Sequence, residues 1–419
     1  MREMKDSGIE WAGVIPNTWN INKGKYFMEL LTRPTLETDE VITCFRDGEV
    51  TLRSKRREEG FTISLTETGY QGIEVGDLVV HGMDGFAGSI GISDSRGKAT
   101  PVLNVLDTKE NKRYMMYLMR TMAYCELFLS LATGIRVRTC DTNWKKLREI
   151  DYILPTIPEQ KAIADFLDKE CAELEKLISD LQSQIEALEE YKRSVITEAV
   201  TKGLDPDVEM RDSGDEWIGM IPDHWKIMRI GRLFHLRNEK NYLPMEQVQL
   251  LSLYTDIGVF PHGEHEERGN KAVTVDGYNI VKKNDIVVNI ILAWMGAIGI
   301  SNYEGVTSPA YDVYVPDLSK VVPHYFHYVF RTSGIAGECY KYGRGIMMMR
   351  WRTYSSEFKL INVPYPNLRE QQQIADYLDS KCAEIDSIIA EKKQQIETIE
   401  EYKKSLIFEY VTGKKEVKL

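Results

Sequence analysis

The chain is sparing with the residues that mark familiar chemistries. Six cysteines are spread over 419 residues and none stands in CxxC spacing, which argues against a disulfide scaffold or a zinc ribbon and for a reducing compartment. There is no signal-like start and no apolar run approaching the ~18 residues a membrane span requires, so a cytoplasmic location is expected. No GxxxxGK[ST] loop, HExxH pair, serine nucleophile elbow or strand-borne GxGxxG occurs, so no catalytic residue, metal or cofactor site is expected in this chain. Positive charge is also short: the formal net charge is −11. It falls unevenly, at −1 for residues 1–155, −5 for 156–203, −3 for 204–366 and −2 for 367–419, so a basic loop remains free to meet phosphate.

What the sequence does contain, it contains twice. "DSGIEWAGVIPNTW" from Asp6 returns as "DSGDEWIGMIPDHW" from Asp212, with nine of fourteen positions identical. "EQKAIADFLDKECAELEKLI" from Glu159 returns as "EQQQIADYLDSKCAEIDSII" from Glu370, with eleven of twenty identical. The offsets are 206 and 211, so the second copy holds about five extra residues between these landmarks. A unit of this size is a domain with its own core, far longer than the ~20–50-residue period of a solenoid.

Glycine and proline vanish from the end of each copy. From Glu159 to about Val200 the apolar positions step by four and three through Leu174, Ile178, Leu181 and Ile185, with Lys192 as the one interruption. The second copy repeats the seam through Ile385, Ile389, Ile396 and Ile399. A heptad pattern of this length calls for a partner helix, and the other copy supplies one. Thr156 with Glu159 and Asn367 with Glu370 have capping-box spacing, and Gly203 and Gly413 mark the stops. About 42 residues at ~1.5 Å each make a rod of roughly 60 Å. An antiparallel pair would relate the two copies by a pseudo-twofold axis. Cys171 and Cys382 occupy equivalent seam positions and read as core packing.

The remaining stretches are short β-rich runs with glycine and aspartate turns, and they align as "VGDLVV" with "KNDIVV", "AGSIGIS" with "MGAIGIS" and "TPVLNVL" with "SPAYDVY". The expected fold is therefore α+β, with globular blocks at 1–155 and 204–366 and long helical spacers at 156–203 and 367–419, antiparallel and coiled together. The loops with binding character differ between the blocks. The first block offers Arg46, Arg53, Lys55, Arg56 and Arg57, then Arg136 and Arg138. The second offers Tyr254, His262, Arg268 and Lys271, then Arg344, Arg350 and Arg352. Arginine and lysine suit phosphate, and arginine also clamps a guanine edge; a solvated charge or an intradomain ion pair is the plainer alternative for each. Trp144 and Trp351 read as core residues, and the "HGEH" at His262 lacks further ligands beside it.

Taken together, the opening "DSGIEWAGVIPNTW", the "GAIGIS" and "SPAYDVY" stretch, the "LPTIPEQKAIADFLD" and "VPYPNLREQQQIADYLD" helix starts and the "EEYKRSVI" and "EEYKKSLI" helix ends resemble the specificity subunit of type I restriction–modification systems. The resemblance covers essentially the whole chain. It implies two target-recognition domains, each reading half of a bipartite duplex DNA target, with the paired helices fixing the gap and docking two modification subunits. It further implies partners that hold the cofactors: modification subunits with S-adenosylmethionine, and restriction subunits with ATP and Mg. Two rival readings are a stand-alone DNA-binding regulator of two spaced half-sites and a protein–protein adaptor.

Overall fold

The computed structural model describes residues 2–56, 68–131, 142–255, 258–263, 274–345 and 351–417. The chain forms two compact units: Met1–Gln182 with Lys393–Leu419, and Ser183–Lys392. Two long helices, Ile157–Lys202 and Leu368–Val411, each contribute one part to each unit.

In the first unit a four-stranded antiparallel sheet has the order Met28–Leu30, Leu103–Thr108, Leu78–His81, Ile90–Ile92. Side chains alternate across a strand, and both faces of this sheet are covered. Leu78, Val80 and Ile90 join a core with Tyr114, Leu118 and Met122 of the helix Lys112–Tyr124. Val79, Leu103 and Val105 turn the other way onto Ile42, Cys44 and Val50 of a β-hairpin. A strand buried on both faces is continuously apolar, which accounts for "DLVV".

The second unit repeats the arrangement, with strand order Phe234–Leu236, Tyr311–Pro316, Ile286–Asn289, Ile298–Ile300. Ile286, Val288 and Ile298 face Tyr325, Phe326 and Phe330 of the helix Pro323–Phe330, while Val287 and Val313 face Leu251, Leu253 and Val259. The turn before the central strand needs a left-handed residue, supplied by Gly76 at φ +86 and by Asn284 at φ +73, the two residue types that adopt it most readily. The next residue, Asp77 or Asp285, is buried. Asp77 pairs with Arg33, and Asp285 receives Arg237 Nε at 2.8 Å and Nη2 at 2.9 Å.

The extra residues of the second copy can be located. Phe234 lies 206 residues after its counterpart Met28, whereas Leu251 lies 209 after Ile42. Ile286 follows Leu78 by 208, and Pro323 follows Lys112 by 211. The second copy is thus three residues longer between its first sheet strand and its hairpin, one shorter before the central strand, and three longer before the helix.

The long helices run antiparallel within each unit. In the first, Ile163, Leu167 and Cys171 share a core with Leu406, Ile407 and Val411. In the second, Ala199 and Val200 share one with Ile374, Ala375, Leu378 and Cys382. Leu181, Ile185, Ile385 and Ile389 are buried, and Leu174, Ile178, Ile396 and Ile399 are half-buried. The lysines that interrupt the seam reach across it: Lys192 Nζ lies 2.6 Å from Asp386, Lys403, 211 residues after Lys192, pairs with Glu175, 211 residues before Asp386, and Lys392 Nζ donates to Gln184 Oε1 at 2.6 Å.

The repeated motifs are docking devices. Glu159 accepts the indole N–H of Trp19 at 3.1 Å and pairs with Arg2; Glu370 accepts the indole N–H of Trp225 at 3.1 Å and lies 2.8 Å from His224 Nε2. The capping-box reading holds in the second copy, where Asn367 Oδ1 accepts the Glu370 N–H at 3.1 Å. In both copies the glutamate carboxylate is engaged by the tryptophan hairpin, Glu159 by Trp19 and Arg2 and Glu370 by Trp225 and His224. The next residue, Gln160 or Gln371, is fully buried and accepts the backbone N–H of Asn111 at 2.9 Å or Val322 at 2.7 Å. Gly203 and Gly413 end the helices at φ +79 and +70. A β-carbon on Gly203 would lie 3.2 Å from Trp225, and one on Gly413 2.5 Å from Pro16. Helix end and tryptophan hairpin meet the same way in both units. In the first unit, this brings the last turn of the chain against its N-terminal hairpin Met4–Asp6/Val14–Pro16.

Candidate nucleic-acid interface

In the first unit the hairpin Ile42–Cys44/Val50–Leu52 carries a charged tip and ends in the short turn Arg53–Arg56. Its cations are all partnered. Arg46 Nη2 lies 2.8 Å from Asp84, Arg56 pairs with Asp47 and with Glu49 at 2.9 Å, and Lys55 Nζ lies 2.7 Å from Ser95 Oγ and 3.3 Å from Asp94. Arg53 Nε donates to Thr43 Oγ1 at 3.3 Å, and the Arg56 guanidinium lies 4.2 Å from the Phe45 ring centre. Arg46, Lys55 and Arg56 sit in pairs of partly exposed groups, and such pairs hold about 0–1 kcal/mol each. A phosphate can replace the carboxylate at little cost, so pairing here organises the side chains without consuming them.

The turn His81–Asp84 brings two sequence-distant loops together. Asp84 receives Arg46 from the hairpin, while Thr142 donates its N–H to Gly82 O at 2.8 Å and its hydroxyl to His81 O at 2.8 Å. Thr142 closes the stretch containing Arg136 and Arg138, which lie outside the described residues, as does Arg57. Within this turn, His81 Nδ1 accepts the N–H groups of Met83 and Asp84 at 3.2 and 3.0 Å. Burial pulls the imidazole below its ordinary value, with Asp84 opposing and Arg46 assisting. The adjoining Cys44 is chemically quiet: burial pushes its thiol up to about 12.

The second unit uses the same scaffold point. Thr353 donates its N–H to Ile290 O at 2.9 Å and its hydroxyl to Cys339 O at 2.8 Å. Just before it, Arg344 and Arg352 exchange backbone hydrogen bonds of 2.9 and 3.0 Å; Arg350 lies outside the described residues. The strongly exposed Arg344 meets Glu357 at 3.0 Å. Trp351, expected in the core, is half-buried: it stacks on Tyr340 at 5.2 Å and donates its indole N–H to Tyr340 O at 2.9 Å. Trp144 packs at the edge of its core, with Arg148 beside the ring.

Tyr254 ends the strand Leu251–Tyr254 opposite Gly258, and His262 Nδ1 lies 2.8 Å from Ser252 Oγ. Arg268 and Lys271 lie outside the described residues. Among the described residues, the structure brings Arg46 and Thr142 to one turn in the first unit, and in the second it places Tyr254 and His262 on the hairpin and Arg344 and Arg352 just before Thr353 at the equivalent turn. Among the described residues no group of three His, Cys, Asp or Glu side chains could hold a metal, and no helix is long and apolar enough to cross a membrane. Sequence reasoning missed His81 and the loop Asn241–Val248, whose signal was apolar residues beside Pro244 in a non-periodic stretch.

Comparison with known proteins gives a consistent result. Residues 222–398 match the family described as the type I restriction modification DNA specificity domain. The putative type I restriction enzyme MjaX specificity subunit of Methanocaldococcus jannaschii is 27% identical over 330 residues, covering 75% of this chain and 72% of its own length. The type I restriction enzyme MjaVIII specificity subunit of the same organism is 24% identical over 342 residues, covering 77% and 75%. A chain from a solved structure described as the structural basis of complex assembly and conformational transition of the type I R-M system has the same fold, with a TM-score of 0.67 and 10% identity over 95% of this chain and 98% of that one. The duplicated motifs, the duplicated scaffold and these matches agree: the chain is similar to the specificity subunits of type I restriction–modification systems, and its residues 222–398 match their DNA specificity domain.

Proposed function

We propose that the chain is the DNA-recognition subunit of a type I restriction–modification enzyme, itself without catalytic activity, in which each globular part reads one half of a bipartite duplex target. The observation that carries this reading is the pairing of a duplicated scaffold with loops that differ between the copies. The sheet, its buried Asp77 or Asp285 and the Trp–Glu helix lock recur, whereas the loops on the shared turn carry Arg46 in one unit and Arg344 and Arg352 in the other. Phosphate contacts position a protein and base contacts specify sequence, so a constant frame with variable arginine loops suits two different half-sites.

The long helices serve a partner common to both halves. Leu177 and Tyr191 are exposed on the first helix, and Ile388 and Tyr402, each 211 residues later, are exposed on the second. Exposed apolar residues that recur in register mark a docking surface used twice, which supports two modification subunits bound to the acidic helices and a gap between half-sites set by the coiled pair. S-adenosylmethionine, ATP and Mg then belong to partner subunits, and the complex works in the cytoplasm. The test is reconstitution. The purified chain alone should neither methylate nor cut DNA, and adding a cognate modification subunit with S-adenosylmethionine should produce adenine methylation. Methylation by the chain in a preparation free of the partner would overturn the assignment.

A further inference from the structure

The loop Asn241–Val248 of the second unit displays three large apolar side chains within four residues: Tyr242 is 78% exposed, Leu243 54% and Met245 37%. Exposed hydrophobic residues scattered singly mean little, but a cluster held toward water implies a partner. This cluster is held. Asn241, 3% exposed, donates from Nδ2 to Leu243 O at 2.9 Å and to Val275 O at 3.0 Å, and its Oδ1 accepts the Leu243 N–H at 3.2 Å. Its backbone exchanges further bonds of 2.8 Å with Tyr278 and Gly277. Pro244 and the 3-10 turn Met245–Gln247 close the loop. A buried, fully engaged asparagine thus fixes the backbone that presents Tyr242 and Leu243 to solvent, so the partner meets a preorganised surface.

Two observations identify that partner. The cluster does not recur: the equivalent loop of the first unit is three residues shorter and exposes Leu36 alone among its large apolar residues, unlike the recurrent Leu177/Ile388 and Tyr191/Tyr402. A surface for a shared protein partner would appear in both copies, whereas one confined to a single copy serves what distinguishes the halves. The loop also leads straight into the candidate recognition hairpin, with only Gln249 and Leu250 between Val248 and the strand Leu251–Tyr254.

We propose that Tyr242 and Leu243 form an apolar wedge that contacts the bases of the half-site read by the second unit, with the tyrosine ring stacking at a base step. Apolar side chains used this way unstack and kink duplex DNA and contribute specificity that hydrogen bonding does not. The inference rests on the DNA-recognition reading above and adds specificity-determining residues to it.

The test uses the chain assembled with its modification subunits and a library of duplexes randomised in each half-site, scored by adenine methylation. Tyr242→Ala with Leu243→Ala should lower methylation ~5- to 150-fold, the range of one lost stacking contact, and should relax base preference in one half only. Tyr242→Phe should retain most activity, and Leu36→Ala should leave that half unaffected. 2-Aminopurine placed at the sensitive step should change fluorescence on binding of the parent complex and not of the double variant. The side chains are exposed, so thermal melts should be unchanged. An unaltered profile in the double variant, with the parent still showing a two-part target, would overturn the wedge alone. So would loss of the modification subunits with unchanged base preference, which would make the loop a protein contact. A parent complex with no two-part target would instead overturn the underlying reading.

Discussion

Lys192 on the first long helix and Asp386 on the second lie 2.6 Å apart, and Lys403 with Glu175 repeats the pair with the helices exchanged, the lysine 211 residues later and the acid 211 earlier. Both lysines stand in a mostly apolar seam, where a polar residue sets the register at some expense in stability. Lys192→Glu should therefore lower the melting temperature, and Lys192→Glu with Asp386→Lys should recover part of the loss. For partly exposed partners the coupling is about 1 kcal/mol or less, readable as a shift of a few degrees in thermal melts.

Neighbouring isoleucines separate packing from docking. Ile389 is 7% exposed and Ile388 36%. Ile389→Asp should bury an unpaired charge and destabilise the chain by roughly 3–5 kcal/mol, measured by denaturant titration. Ile388→Asp should melt like the parent but co-purify less modification subunit, and Leu177→Asp should do the same for the other copy.

Stability should fall on mild acidification. His327 is largely buried, and burial, with Arg331 and His324 assisting against Asp379, lowers its value to about 3. The folded state therefore resists a proton that the unfolded chain accepts near its ordinary value of ~6.5. The stability linked to this group is complete above that value and is lost as pH falls toward 3, by up to about 1.4 kcal/mol per pH unit. His81 adds loss in the same direction. Met116 stands where His327 does, 211 residues earlier, so His327→Met should flatten the decline between pH 6.5 and 5 in melts.

Gly413 against Pro16 mirrors Gly203 against Pro222 and Trp225. Joining the termini by a short linker and opening the chain near Asp205 should preserve the fold and support methylation in the reconstituted complex. A permutant that fails to fold would contradict the equivalence of the two junctions.

Much of this was legible because it is periodic. The seam through Ile185 and Ile389 follows the heptad, and the short unbroken apolar run in "DLVV" follows a strand buried on both faces. Long-range chemistry was not. Glu159 and Glu370 read as capping residues, yet each accepts an indole N–H from a tryptophan 140 or 145 residues earlier in the chain. Arg46 and Lys55 read as candidate phosphate ligands, and their partners Asp84 and Asp94 come from turns that only the fold brings near. Lys192 looked like an interruption until the other helix supplied Asp386. Tyr242 escaped notice because loop geometry has no period, and only the buried Asn241 shows that its exposure is imposed.

The central claim is one globular part for each half of a bipartite target, and methylation mapping of host DNA tests it most directly. With the chain present, methylated adenines should define a single motif of two short sequences separated by a fixed gap, and without it that motif should vanish. Arg136→Ala with Arg138→Ala should alter one half only, and Arg350→Ala with Arg352→Ala the other. An arginine bidentate to guanine carries ~1–3 kcal/mol of discrimination, whereas a phosphate contact weakens all sequences alike and lowers the salt dependence by about one unit. A single undivided motif, or double variants that change both halves together, would contradict the account.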